Sequence, residues 1–225
     1  MSTLQLIWDS QTTYQMWSWN QAYGKTHHTA QLVRRVKKDV YTVRIGLRGM
    51  DPTDVVAIKV AHGKEALEEM EREAGFYEHQ LKSLQGTVVP KLYGFYTTRV
   101  NGTPLGCLLL EYCSGPPVGR ERIAEMNRKA LHAAHALHDA GVLHGDLLSA
   151  HHFVPMGRDI RIVDFGVAVT HQCVNGLARR AAGHGLHHVC GCPELAALED
   201  AYAHDRRFNT TLPEINWAES CGEDL

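Results

Sequence analysis

The chain has 225 residues, of which 44% are hydrophobic and 21% are charged, and its formal net charge at pH 7 is −2. This length and apolar content predict one domain of ordinary size, and the near-neutral charge gives no indication of a nucleic-acid partner. No stretch approaches the roughly 20 apolar residues that span a bilayer, and the N-terminus lacks the pattern of a secretion signal. We therefore expect a cytoplasmic or nuclear protein without a membrane partner, whose six cysteines are reduced.

The first half of the chain is predicted to consist mainly of strands. Residues 1–30 have no sustained period, and they predict only an irregular cap or a first strand. Five later segments are rich in aliphatic and β-branched residues or are bounded by turn residues, and they predict strands at 29–36, 40–47, 54–60, 91–96 and 105–112. The first two are joined by a Lys37-Lys38-Asp39 turn and form a predicted hairpin.

Two segments have the spacing of amphipathic helices. Apolar residues recur every three or four positions over 64–84 and again over 120–140, where Gly141 supplies a typical C-terminal stop. A Gly- and Pro-rich stretch at 113–117 separates the strand-rich part from the rest. The pattern predicts a small antiparallel sheet lobe with one main helix (1–112), followed by a helical lobe (113–225).

Two aspartates stand eighteen positions apart, each close behind an apolar run. Asp146 ends Val142-Leu143-His144-Gly145-Asp146, and Asp164 follows Ile162-Val163 and precedes Phe165-Gly166. Phosphoryl transfer uses such a pair, with one carboxylate near the attacking hydroxyl and another on the magnesium ion. Upstream, Val56-Ala57-Ile58-Lys59 places a lysine on an apolar strand, where it could serve the nucleotide phosphates.

These three motifs, in this order, resemble those of the protein-kinase-like superfamily, and the His-Gly-Asp form is most similar to small kinase-like proteins common in fungal genomes. The resemblance covers about residues 40–202. It implies an α+β, bilobal protein-kinase-like fold with a small antiparallel sheet lobe and a truncated, mainly helical lobe. It also implies that ATP and Mg²⁺ (or Mn²⁺) bind between the lobes.

The resemblance assigns a role to each motif residue. Asp146 would accept or orient the proton of the substrate hydroxyl, and Asp164 would hold the metal ion. Lys59 would contact the nucleotide phosphates and pair with Glu73, with Glu69 one turn earlier as the competing partner. The ordinary alternatives are turn-capping aspartates and a lysine whose amine reaches solvent from an edge strand.

A further segment, Leu108-Leu109-Leu110-Glu111-Tyr112-Cys113, resembles the hinge that binds adenine. Glu111 and Cys113 would be its contact positions, through main-chain atoms. An edge strand that runs into a loop explains this segment almost as well.

Four features depart from the family pattern. The hairpin turn has Lys37 and Lys38 in place of glycines; the lysines offer charge instead of backbone contacts, although a solvated turn explains them more simply. His151 occupies the position of a metal-binding asparagine, and imidazole suits Mn²⁺ better than Mg²⁺. Gly145 stands where many protein kinases have an arginine that binds a phosphorylated activation loop. Thr170 is the single hydroxyl residue from 167 to 194, so we do not expect phosphorylation of this loop to regulate the protein. Finally, only 31 residues follow the Cys192-Pro193-Glu194 motif, which implies a reduced substrate platform.

The implied function is ATP-dependent phosphoryl transfer, most simply by a Ser/Thr-type protein kinase-like enzyme. Two alternatives stay open. Small-molecule kinases of the aminoglycoside or choline type share the His-Gly-Asp motif, and a pseudokinase would bind nucleotide or a partner without turnover. The sequence does not distinguish a protein acceptor from a small-molecule acceptor.

A zinc site is a competing interpretation of one histidine-rich segment. Potential ligands cluster within nine residues at His184, His187, His188, Cys190 and Cys192. The Cys-x-Cys spacing is unusual, and no second pair follows, so this pattern is weak. His132, His135 and His138 recur on the second predicted helix, and a half-buried helix face explains them better than a metal does.

Overall fold

The structure, a computed structural model, describes residues 1–19, 26–115, 119–173 and 192–202. The chain divides into two units. The first comprises Met1–Glu78 and Pro90–Tyr112, and the second comprises His79–Val89 and the residues from Cys113 onward. Each unit is described separately below.

The first unit is built on a closed barrel of seven strands. The strands are β1 (Thr3–Ile7), β2 (Thr13–Ser18), β3 (His27–Lys37), β4 (Val40–Leu47), β5 (Asp54–His62), β6 (Leu92–Val100) and β7 (Thr103–Glu111). Their order around the barrel is β1-β2-β6-β7-β5-β4-β3. All neighbours are antiparallel except β1 and β3, whose parallel pairing closes the barrel.

Alternation of side chains explains why this sheet closes. In β1, Leu4 and Leu6 are completely buried while their neighbours are partly exposed, and Met16 of β2 joins them. Period-2 burial of this kind places one face of each strand in a common core. The remaining members of that core come from the other five strands: Ala30, Val43, Val56, Ile58, Tyr96, Leu105, Cys107 and Leu109.

The expected fold class is therefore wrong. We predicted a bilobal kinase-like fold whose first lobe is a small antiparallel sheet, but the structure has a closed seven-stranded barrel that includes a parallel pair. The error lies in residues 1–30, which contribute β1, β2 and the start of β3 instead of an irregular cap or a single first strand. Apolar and polar residues alternate over too few positions in β1 and β2 to distinguish a strand from an irregular segment.

One helix, α1 (Lys64–Glu78), packs on the outside of the barrel against β7 and β5. Gly106 of β7 lies against this helix, and a Cβ atom there would lie 2.5 Å from Cδ1 of Leu67, so the leucine side chain would have to shift. The helix buries a stripe that includes Met70, Glu73 and Tyr77. The prediction of a helix from 64 to 84 was too long, because a separate 3-10 turn follows at Lys82–Leu84.

The described part of the second unit combines two helices with four short strands. The elements are α2 (Ile123–Asp139), β8 (Val142–Leu143), β9 (Phe153–Met156), β10 (Asp159–Ile162), β11 (Val169–Thr170) and α3 (Pro193–Tyr202). Helix α2 and its stop at Gly141, where φ is +82°, were predicted. The expected mainly helical lobe is not what the described residues form, because β9 pairs with β10 and β8 with β11. No helix among the described residues is both long enough and apolar enough to cross a bilayer.

Candidate functional site

The lysine of the first predicted motif forms a short ion pair. Lys59 lies on β5, on the opposite face from the buried Ile58, and its Nζ atom is 2.7 Å from Oε2 of Glu73 on α1. The Glu73 side chain is 1% exposed and that of Lys59 is 25% exposed. Of the two carboxylates that the sequence left open, Glu73 is in the pair and Glu69 lies exposed on α1.

A buried carboxylate needs such a partner, because removal of an ion from water costs several kcal/mol unless it is paired. The Lys59 side chain is partly exposed, and a lysine held by a buried carboxylate is a candidate ligand for an anion such as phosphate.

Asp146 follows β8 in the second unit and is well exposed, at 55% of its side chain. Its Oδ2 atom is 3.0 Å from Nε2 of His152, and Nδ1 of the same ring is 3.2 Å from the carbonyl oxygen of Val163. Both partners are acceptors, and a neutral imidazole ring donates to one of them at a time. His152 thereby holds the Asp146 carboxylate in one orientation and leaves it open to solvent.

Asp164 follows the end of β10 and adopts a left-handed backbone conformation, with φ of +73°. Aspartate and asparagine tolerate this region better than most residues do. The next residue, Phe165, is fully buried, and its ring centre lies 5.1 Å from that of His144. The turn thus sends Phe165 into the interior and leaves Asp164 half-buried.

His144 contacts the turn that contains Asp164 and Phe165. It is fully buried, and its Nε2 donates to the carbonyl oxygen of Val163 at 3.0 Å. Burial lowers the pKa of His144, although the bond to Val163 and nearby carboxylates oppose this. A neutral ring is therefore favoured, with its proton on Nε2.

The remaining predicted positions lie elsewhere. Glu111 is at the end of β7, where its main-chain N–H donates to the carbonyl oxygen of Lys91 at 2.8 Å, and Cys113 is half-buried just beyond. His151 is exposed on the 3-10 turn Ala150–His152. The hairpin between β3 and β4 turns at Lys38 and Asp39, and Asp39 has φ of +60°. The histidine that contacts Asp146 is His152, not its neighbour His151.

Sequence reasoning missed the structural role of Glu194. Its carboxylate accepts hydrogen bonds from the main-chain N–H groups of His144 (3.1 Å) and Gly145 (2.6 Å), and it lies 2.7 Å from Nε2 of His138. Burial alone would raise the pKa of Glu194, but these hydrogen bonds outweigh it and hold the pKa below its usual value. No local pattern could have revealed contacts that span about 50 residues.

Gly145 adopts a backbone conformation that favours glycine. Its φ is +87°, a region that side chains with a Cβ atom adopt only with strain. The glycine lets the N–H groups of residues 144 and 145 converge on one carboxylate. The predicted zinc ligands at 184, 187, 188 and 190 lie outside the described residues.

Comparison of the chain with protein-family models finds no match, and comparison with curated proteins finds none either.

Proposed function

We propose that this protein catalyses ATP-dependent phosphoryl transfer to a hydroxyl acceptor. The observation that carries the proposal is the 2.7 Å pair between Lys59 and the buried Glu73. A carboxylate on α1 that fixes a partly exposed lysine is the arrangement expected of a phosphate-binding ammonium.

The acidic residues of the second unit supply the rest of the chemistry. Asp146 is exposed and oriented by His152, so it can take the proton of an acceptor hydroxyl as the oxygen attacks the terminal phosphorus of ATP and ADP leaves with the bridging oxygen. Asp164 would hold Mg²⁺, since carboxylate oxygen is the ligand that this ion prefers. His151 fits Mg²⁺ less well, because an imidazole nitrogen favours Mn²⁺ or Zn²⁺. The metal ion would neutralise charge on the phosphates.

A second candidate function is nucleotide binding without turnover. Two observations favour it: the β3–β4 hairpin turns through Lys38 and Asp39 instead of glycines, and His151 stands where an asparagine is expected. The acceptor of an active enzyme could be a protein hydroxyl or a small-molecule hydroxyl, and the test below includes both.

The test is turnover of ATP by the parent protein and by Asp146→Asn, with panels of protein and small-molecule acceptors. We expect transfer or slow ATP hydrolysis by the parent protein and a loss of about 10²–10⁴-fold in Asp146→Asn, because the base is removed. Asp139→Asn is the matched control, since Asp139 is an exposed aspartate at the end of α2. Equal turnover by Asp146→Asn and the parent would contradict the role of Asp146. Absence of turnover in the parent would favour the binding function.

A further inference from the structure

Four potential metal ligands converge in the second unit, away from the residues assigned above. They are His138 near the end of α2, His171 and Cys173 just after β11, and Cys192 immediately before α3. One ligand atom from each residue lies within 4.8 Å of all the others. His138 and Cys192 are buried, and the other two are half-buried.

The donor set and spacing match zinc. Two thiolates with two imidazoles form one of the common structural zinc sites, with bonds of about 2.3 Å to sulfur and about 2.0 Å to nitrogen. A tetrahedral ion with these bonds separates a sulfur from a nitrogen by roughly 3.6 Å. The Sγ atom of Cys192 lies 3.5 Å from Nδ1 of His138. This pair is already at ligand spacing, and the other ligand atoms lie within 4.8 Å of it and of one another.

The two ring nitrogens of His138 have the kind of partners that a metal-binding histidine has. Its Nε2 faces Oε2 of Glu194 at 2.7 Å, which leaves Nδ1 directed toward the cluster. Ligating histidines usually donate their second nitrogen to a carboxylate in this way, which fixes the tautomer and orients the ring. Glu194 is itself fixed by the two main-chain N–H groups of residues 144 and 145.

His171 supplies an independent observation. Its Nε2 atom is buried and has no hydrogen-bond partner among the described residues, and its ring centre lies 5.3 Å from that of His138. A buried polar atom of this kind is rare in native structures and calls for an ion or a water molecule. The main chain holds the residue in place, because the N–H of His171 donates to the carbonyl oxygen of Gly141 at 2.8 Å.

We propose that His138, His171, Cys173 and Cys192 bind one Zn²⁺ ion in a closed, structural site. Four protein ligands leave no open position for a substrate or water. Binding releases the two thiol protons, so two thiolates neutralise the charge of the ion. The ion would join the end of α2 to the segment after β11 and the start of α3. Through His138 and Glu194 it would also steady the turn that leads to Asp146. The set shares only Cys192 with the cluster that the sequence suggested.

Cobalt substitution of the full chain tests this proposal. We expect the purified parent protein, prepared without chelators, to contain one Zn²⁺ per chain. Exchange for Co²⁺ should give the visible bands of a tetrahedral ion and a thiolate charge-transfer band. Cys173→Ser and Cys192→Ser should each weaken the charge-transfer band and lower metal affinity by at least tenfold. Cys190→Ser and Cys113→Ser are matched controls that should keep the parent spectrum.

A second measurement on the parent protein covers the case in which these variants fail to fold. Bound Zn²⁺ should protect Cys173 and Cys192 from alkylation, and a chelator should make both reactive, as read by peptide mass mapping. The proposal is overturned if the folded parent binds no Zn²⁺, or if the chelator does not change the reactivity of these two thiols. A parent cobalt spectrum in both Cys173→Ser and Cys192→Ser, or a loss confined to Cys190→Ser, would also overturn it.

Discussion

The Glu73 carboxylate is almost completely buried, and the ion pair with Lys59 offsets the cost of that burial. The choice of Glu73 over Glu69 follows from helix geometry. Glu73 is next to Ala74 on the stripe of α1 that faces the barrel, whereas Glu69 points to solvent. The sequence could therefore suggest this pair, because the apolar spacing of the helix is local information.

Residue identity alone could not decide which of His151 and His152 lies against Asp146. Spacing from Asp146 favoured His151 as the functional residue, but the short 3-10 turn exposes His151 and directs His152 onto Asp146. Adjacent residues on a turn point in different directions, and a shift of one position changes which ring meets the carboxylate. That direction is set by the buried packing of His152, not by its immediate neighbours in sequence.

Arg161 carries a prediction at the residue scale. It is buried on β10, and its guanidinium donates at 2.6 Å to the carbonyl oxygens of both Thr87 and Gly86. Hydrogen bonds to a charged donor contribute about 1.5–3 kcal/mol each. We expect Arg161→Met to lower the free energy of unfolding by roughly 3 kcal/mol, measured by chemical denaturation.

Arg161→Lys should cost less than Arg161→Met, because an ammonium group can keep one of the two carbonyl contacts but not both. The control is Arg158→Met at an exposed position, which should stay within about 0.5 kcal/mol of the parent. Equal stability of Arg161→Met and Arg158→Met would show that the Arg161 hydrogen bonds contribute nothing.

At the scale of elements, barrel closure is the feature that the sequence did not predict. The hairpin of β3 and β4 was predicted, since its turn residues and β-branched runs are adjacent in the chain. The parallel pairing of β1 with β3 joins Thr3 to His27 across 24 positions, and β2 reaches β6 across a still longer interval. Such pairings depend on the complete set of strands, and they cannot be predicted from a short segment of sequence.

Leu6 tests this closure. Its side chain is completely buried in the barrel core, while Gln5 on the same strand faces outward. Removal of a buried leucine side chain costs about 2–5 kcal/mol. Leu6→Ala should therefore lower the free energy of unfolding by about 3 kcal/mol, and Gln5→Ala should change it by about 0.5 kcal/mol or less. Similar, small effects for both substitutions in denaturant unfolding would mean that residues 3–7 are not a barrel strand.

At the scale of the whole molecule, the motif residues are distributed over the two units. Lys59 and Glu73 belong to the first unit, and Asp146 and Asp164 belong to the second. The motifs were recognisable because each is a short run with a chemical signature. The fold inferred from them was wrong, since seven strands close into a barrel. Short motifs constrain the chemistry of a chain more tightly than they constrain its architecture.

We propose that Lys59 and Asp164 are each needed for nucleotide binding, and ATP-dependent thermal stabilisation tests this most directly. A ligand at 100 times its Kd stabilises a protein by about 2.7 kcal/mol, so saturating ATP with Mg²⁺ or Mn²⁺ should raise the Tm of the parent clearly. Lys59→Met/Glu73→Gln removes the proposed phosphate contact without leaving a buried carboxylate, and Asp164→Asn removes the proposed metal ligand. Both should lose most of the shift, whereas Lys64→Met, an exposed control on α1, should keep it. A parent protein that ATP does not stabilise, or an equal shift in all four proteins, would contradict the account.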